Sequence, residues 1–250
     1  MIPGPVEVYK EVYDVLGEPI IGHRTSDFGA LYREVSKKAG KVFETKNDVY
    51  LLTSSGSGAI ETAVVNTISP GDKVLSVVIG VFGDRFAKMA RTYGGDVTEL
   101  KIDWGKGATP QQVRKALDVS GADIITITHN ETSTGCTNPI GEIAEEVADD
   151  ALMLVDGVSS VGGIKYQHDK WNIGVSLTGS QKALCVPPGL ALITFSKRAW
   201  EKVEQTTTPR YYFDIRKYKK YYDEKGETPY TPAIGLVMAI DKSLDIILET

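Results

Sequence analysis

Leu75-Ser76-Val77-Val78-Ile79 decides the fold. Successive side chains of a β-strand point to opposite faces, so a run apolar at nearly every position is a strand covered on both sides, as in the centre of a parallel sheet. Outward from this run, which extends over residues 74–79, short β-branched apolar runs recur at 49–53, 123–128, 152–155, 176–178 and 191–194. Amphipathic stretches at 59–68, 85–93 and 110–118 lie between them, and glycines often mark the joins. Strands alternating with helices predict βαβ units, an α/β fold with a mainly parallel sheet and helices on both faces. Ligands bind such sheets beyond the carboxyl ends of the strands, so polar residues just after a strand are the ones to weigh.

With 250 residues, 42% hydrophobic and 24% charged, the chain is large enough for one or two buried cores. Its formal net charge of -5 offers no positive field to nucleic acid or an anionic membrane. Cys136 and Cys185 share no metal-ligand spacing and suit a reducing compartment. No basic leader and no run of ~18 apolar residues is present, and the reading is a cytoplasmic protein. Residues 205–231, rich in lysine, tyrosine and proline, break the rhythm and read as a long interface loop. A helix is predicted over 233–250, with Leu236, Ile240, Leu244 and Ile247 at helical spacing; it reaches the last residue without a capping signal.

Three strand-end motifs carry chemistry. Ser54-Ser55-Gly56-Ser57-Gly58 opens a helix and offers free amides to an anion such as phosphate; it reads equally as a joint where glycine is needed sterically. Asp156 closes Leu152-Met153-Leu154-Val155, either capping the next turn or facing a ligand. Lys182, in Gly179-Ser180-Gln181-Lys182-Ala183-Leu184, sits among small and apolar neighbours. Desolvation there favours its neutral, nucleophilic form.

The order of these motifs resembles the class V aminotransferases, and their wording resembles the alanine-glyoxylate and serine-pyruvate branch. Gly179 to Leu184 with Pro187-Pro188-Gly189 is the most specific match, supported by Thr128-His129-Asn130-Glu131-Thr132-Ser133-Thr134-Gly135 and Val155-Asp156-Gly157-Val158-Ser159-Ser160. The resemblance covers essentially the whole chain and implies a pyridoxal 5'-phosphate (PLP)-dependent transferase of fold type I with a seven-stranded-type sheet. It implies Lys182 as Schiff-base lysine and proton carrier, and Asp156 as partner of the pyridine nitrogen. Phe82 would stack on the ring and Val158 would pack on its other face. Ser55, Gly56, Ser57 and Gln181 would hold the phosphate, and Thr132 would lie near the ring hydroxyl.

Thr228 and Thr231 match a segment that reaches the neighbouring subunit's phosphate in a homodimer; equally, Thr231 could be an N-cap with Pro232 in the first helical position. Gly4, His23 and Arg24 match the substrate entrance. The division implied is an N-terminal segment, 1–24, and a large PLP-binding domain, 25–250. The family's small C-terminal domain, with the arginine that grips the substrate carboxylate, is expected to be missing, since no arginine follows Arg216. His129 and His168 carry no assigned role.

The implied reaction is ping-pong transamination from a small amino acid, alanine or serine, to a small 2-oxo acid, glyoxylate or pyruvate. A PLP lyase of the cysteine desulfurase type, drawing on Cys136 or Cys185, and a non-catalytic PLP-binding subunit are the alternatives.

Overall fold

The computed structural model describes residues 2–249; Met1 and Thr250, the outer ends of the predicted terminal segments, lie outside the described residues. In chain order the elements are α1 (Lys10–Leu16), α2 (Ser26–Phe43), β1 (Val49–Leu52), α3 (Gly56–Thr67), β2 (Lys73–Val78), α4 (Val81–Thr92), β3 (Asp96–Lys101), α5 (Pro110–Ser120) and β4 (Ile124–Thr128). There follow β5 (Asn130–Glu131), β6 (Cys136–Thr137), α6 (Ile140–Val147), β7 (Leu152–Asp156), β8 (Val175–Gly179), β9 (Ala191–Phe195), α7 (Lys197–Gln205), α8 (Ile215–Lys225) and α9 (Ile234–Glu249).

Seven strands form one sheet in the order β1-β9-β8-β7-β4-β2-β3. The pairs from β8 through β3 are parallel, and β9 runs antiparallel to both its neighbours. Every residue of β1, β4, β7, β8 and β9 is buried. Since side chains alternate between faces, both faces of the sheet are covered. The one polar residue of the deciding run, Ser76, is satisfied in the core by Thr126 Oγ1 at 2.7 Å.

Three elements depart from the expectations. The strand β3 is an edge strand whose exposure alternates, so Asp96-Val97-Thr98-Glu99-Leu100-Lys101 never forms a continuous apolar run. The segment 205–231 is not a loop throughout: its centre is α8, which buries Ile215, Tyr218 and Tyr222. Tyr222 meets Tyr32 edge-on at 5.0 Å, so the tyrosines form the apolar stripe. Nor is Thr231 an N-cap with Pro232 in the helix: α9 starts at Ile234, and the Ala233 amide before it donates to Thr53 Oγ1 at 3.0 Å. That helix lies against α1 and α2, and Lys38 of α2 holds Asp241 and Asp245, each at 2.7 Å.

Buried Asn138 ties the end of β4 to the loop ahead of α5. Its Nδ2 donates to Thr128 O at 2.8 Å, its Oδ1 accepts from Ala108 N at 2.8 Å, and its amide donates to His129 O at 2.8 Å. Asn138→Ala strands a buried carbonyl and a buried amide, each worth about 1–3 kcal/mol. A fall of that order in urea-unfolding stability is the expected result.

Candidate active site

The sheet's carboxyl edge carries a cavity of about 220 Å³ lined from five strand-to-loop joints and from Gly4. At the first joint, β1 passes through Thr53 and Ser54 to Ser55, the residue before α3, whose side chain makes no cap bond. The amides of Gly58 and Ala59 turn back to Ser55 O, whereas Gly56 and Ser57 carry the first two amides of the helix, positions without an intrahelical acceptor. Both residues and Ser55 line the cavity at the positive end of the helix dipole. The steric need for glycine is also real. A Cβ on Gly56 would lie 2.6 Å from Val158 Cγ2, and one on Gly58 2.7 Å from Ser54 Oγ.

The second joint, from β2 through Gly80 to α4, brings Phe82 and Arg85 to the cavity wall. The Arg85 guanidinium lies over the Phe82 ring at 4.8 Å and donates to Ser57 Oγ at 3.1 Å, joining the first two joints. The N-terminus of α4 is filled. Glu131, fully buried, accepts from the amides of Phe82 and Gly83 at 3.0 Å.

At the third joint the small hairpin of β5 and β6 leaves β4 and carries Thr132, whose hydroxyl is hydrogen-bonded to that of Ser159. At the fourth joint β7 ends in Asp156, which is 3% exposed and accepts from Val158 N at 2.9 Å. Burial pushes its carboxyl up to about 6 against the pull of that amide, and Glu131 pushes it further; Arg85 and Lys182 act the other way. At the fifth joint, β8 leads to Gln181 and Lys182. Burial draws the Lys182 ammonium below the usual lysine range, opposed by Asp156, and its Nζ donates to Pro3 O at 3.2 Å. Two buried polar atoms of cavity-lining residues, Gln181 Oε1 and Thr128 Oγ1, have no hydrogen-bond partner among the described residues.

Ser55, Gly56, Ser57, Phe82, Thr132, Asp156, Val158, Gln181, Lys182 and Gly4 thus meet around one cavity. His23, Arg24, Thr228 and Thr231 do not line it. Arg24 is occupied with Glu227 Oε2 at 2.7 Å and Thr228 O at 2.6 Å, the hydroxyl of buried Thr228 donates to Tyr230 O at 2.7 Å, and Thr231 is exposed. His129 is buried against Tyr166 and Trp171, and burial draws it down to about 4. His168 meets Ser176 Oγ at 2.6 Å inside the core. Neither cysteine lines the cavity. Sequence reasoning assigned nothing to Arg85, Glu131, Thr128, Asn130 or Ser159, although each stands within or beside a quoted motif. A larger groove of about 550 Å³ borders Trp171 and α6 but reaches none of Ser55, Asp156 and Lys182.

Known proteins resemble this chain along its whole length. An uncharacterized aminotransferase of Methanocaldococcus jannaschii is 47% identical, over all of this chain and 66% of its own length. The L-aspartate–glyoxylate aminotransferase of Paracoccus denitrificans is 37% identical over 99% of this chain and 64% of its own. The crystal structure of an alanine–glyoxylate aminotransferase from Nostoc sp. superposes with a TM-score of 0.96 at 32% identity, covering 100% of this chain and 67% of that one. The chain therefore spans about two thirds of the length of these relatives. Its mixed, mostly parallel seven-stranded sheet is that of the PLP-dependent transferases of fold type I. The family model described as Aminotransferase class-V matches residues 6–249, and the chain belongs to that family.

Proposed function

We propose that the cavity takes pyridoxal 5'-phosphate and that the whole protein moves an amino group from a small amino acid to a small 2-oxo acid. One observation carries this reading: an amine of lowered basicity, a buried acid and an unfilled helix N-terminus share one cavity. These answer the three features of a compound that is at once an aldehyde, a pyridine and a phosphate ester. The unpartnered Gln181 Oε1 and Thr128 Oγ1 add polar atoms suited to a polar ligand. Bound there, such a group supplies a carbonyl for the amine and a ring that draws electrons from the substrate α-carbon.

Lys182 Nζ, made more nucleophilic by desolvation, would hold the group through its carbonyl carbon and, once displaced by the substrate's own amine, would be free to carry a proton between the substrate α-carbon and the cofactor. Asp156 would hold the proton on the pyridine nitrogen and gain a cationic partner for its buried charge. Phe82 and Val158 would flank the ring, and the amides and hydroxyls of Ser55, Gly56 and Ser57 would bind the phosphate. Gln181 would lie at the phosphate, and Thr132 near the ring hydroxyl. Glyoxylate, in the names of both the Paracoccus and the Nostoc relatives, is the favoured acceptor. Alanine and serine are the expected donors, with aspartate added by the Paracoccus relative. The same reading makes the protein a cytoplasmic homodimer in which Thr228 and Thr231 approach the neighbouring subunit's phosphate. A desulfurase would need a cysteine at the cavity, and neither Cys136 nor Cys185 lines it.

The test is an absorbance spectrum from about 300 to 500 nm with added cofactor, borohydride reduction and peptide mass spectrometry, which together report the lysine chemistry directly. A reduced adduct on Lys182, and a visible band lost on adding alanine or serine with release of the matching 2-oxo acid, is the expected outcome. An adduct on another lysine, or none, would refute the assignment. Lys182→Ala should lose band and adduct together while keeping its far-ultraviolet circular dichroism.

Asp156 also governs the stability of the cofactor-free protein. Its folded pKa of about 6 lies above the ordinary 3.8, so the folded chain holds the proton more tightly. That contribution is full below about pH 4 and is lost as pH rises through about 6. The difference is on the order of 3 kcal/mol at 1.36 kcal/mol per pKa unit. Asp156→Asn should therefore raise the melting temperature at about pH 7.5 and leave it nearly unchanged at about pH 3.5. Equal shifts at both values would show that Asp156 is not strained by burial.

A further inference from the structure

The joints into α3 and α4 are built alike, each a strand, a glycine-bearing turn and a helix, yet only the α3 end is open. Four helices draw their caps from the adjacent residue, Thr25 for α2, Thr109 for α5, Ser196 for α7 and Asp214 for α8. The cap of α4 comes from 49 positions away. Glu131 Oε2 takes the amides of Phe82 and Gly83 at 3.0 Å, while Oε1 takes the Ser133 amide at 3.1 Å and hydroxyl at 2.6 Å. Ser133 Oγ in turn accepts from Val81 N at 3.1 Å. The first three amides of α4 are thus all filled from the β5–β6 hairpin.

No ion pair to a basic side chain involves Glu131 among the described residues, so its buried charge rests on these donors and on the dipole of α4. The fit admits no side chain at Gly80, where a Cβ would lie 2.5 Å from both Glu131 Cγ and Ser133 Oγ. From this cap a line of contacts runs into the cavity. Glu131 fixes the Phe82 amide, the Phe82 ring carries the Arg85 guanidinium, and Arg85 reaches Ser57 at the open end of α3.

We infer that Glu131 is a positioning residue of the cofactor site: by closing the α4 N-terminus with its own carboxylate it sets Phe82 and Arg85 against the α3 seat and leaves α3 as the end open to an external anion. The inference rests on the PLP reading above. Its charge also faces Asp156, which it helps to push up after burial itself, so the site bears an electrostatic cost that a neutral cap would avoid.

The experiment titrates pyridoxal 5'-phosphate into wild type, Glu131→Ala and Glu131→Gln, following the visible band, with and without formate; the melting temperature of each cofactor-free protein is recorded in parallel. Charged hydrogen bonds of this kind predict a roughly tenfold loss of cofactor affinity in Glu131→Ala. Formate, able to sit on the vacated amides, should restore affinity saturably there and leave wild type unchanged, with Glu131→Gln between the two. Binding within twofold of wild type in both variants would overturn the inference. So would formate recovering the melting temperature but not the affinity, because Glu131 would then serve the fold alone. If Glu131→Ala does not fold, Glu131→Gln decides by its affinity. If wild type itself develops no band, the PLP reading fails first and this inference with it.

Discussion

Parallel pairing of β2, β4, β7 and β8 determines where this chain can place chemistry. Parallel neighbours end at the same edge, and the register sets Thr128 beside Asp156 and Asp156 beside Leu177. The residue after each strand therefore emerges into one shared space, faced by the N-termini of the helices that follow. The antiparallel β9 completes the arrangement. Gly179 pairs with Ala191, the Ser180 amide donates to Leu190 O at 2.9 Å, and the Ser180 hydroxyl donates to Pro187 O at 2.7 Å. The loop bearing Lys182 is thus closed at its base, so the long side chain leaves a fixed point rather than a mobile one.

Two buried acids share this edge and differ in what neutralises them. Glu131 is fully buried and accepts from three amides and a hydroxyl. Asp156 is as deeply placed but has one amide, from Val158, and two cations near enough to act on it, Arg85 and Lys182. A carboxylate satisfied by the backbone has little left to offer a ligand, whereas a carboxylate short of donors gains from a cationic partner. Position alone would not separate the two residues. Their donor sets do.

Most of the sheet was legible because its strands are buried on both faces, which turns topology into apolar runs at β1, β2, β4 and β7. The edge strand β3 escaped for the same reason: its apolar residues, Val97 and Leu100, are isolated among polar ones and only partly buried. Helix α8 was hidden by its tyrosines, which read as polar beside lysines although Tyr218 and Tyr222 are buried. The starts of α3 and α4 fell three and four residues ahead of the helices read at 59 and 85, because Gly-Ser-Gly and Gly-Val-Phe-Gly look like turns until their amides are placed. The residues gathered at the cavity were legible as strand-end motifs. Glu131 and Arg85 were visible but silent, since their partners lie across the fold, 49 positions away for Glu131 and 28 for Arg85.

The arginines decide which cation can meet an anion in this site. Arg91 is held by Glu99, Arg114 by Asp118 and Asp150, and Arg216 by Asp214. Arg24 grips Glu227, and Arg210, whose side chain is buried, sits beside Asp214 at 3.6 Å. Arg198 donates to Ala148 O, and Arg33 lies over the Tyr222 ring at 5.3 Å. Among the described residues only Arg85 both lines the cavity and lacks an acidic partner, its polar contact being the neutral hydroxyl of Ser57. A guanidinium can add a carboxylate or phosphate to such a contact without breaking an ion pair. Beside Lys182, charge complementarity in this part of the protein therefore rests on one arginine and the amides of α3, and the wall that orients that arginine is Phe82, whose own amide is held by Glu131.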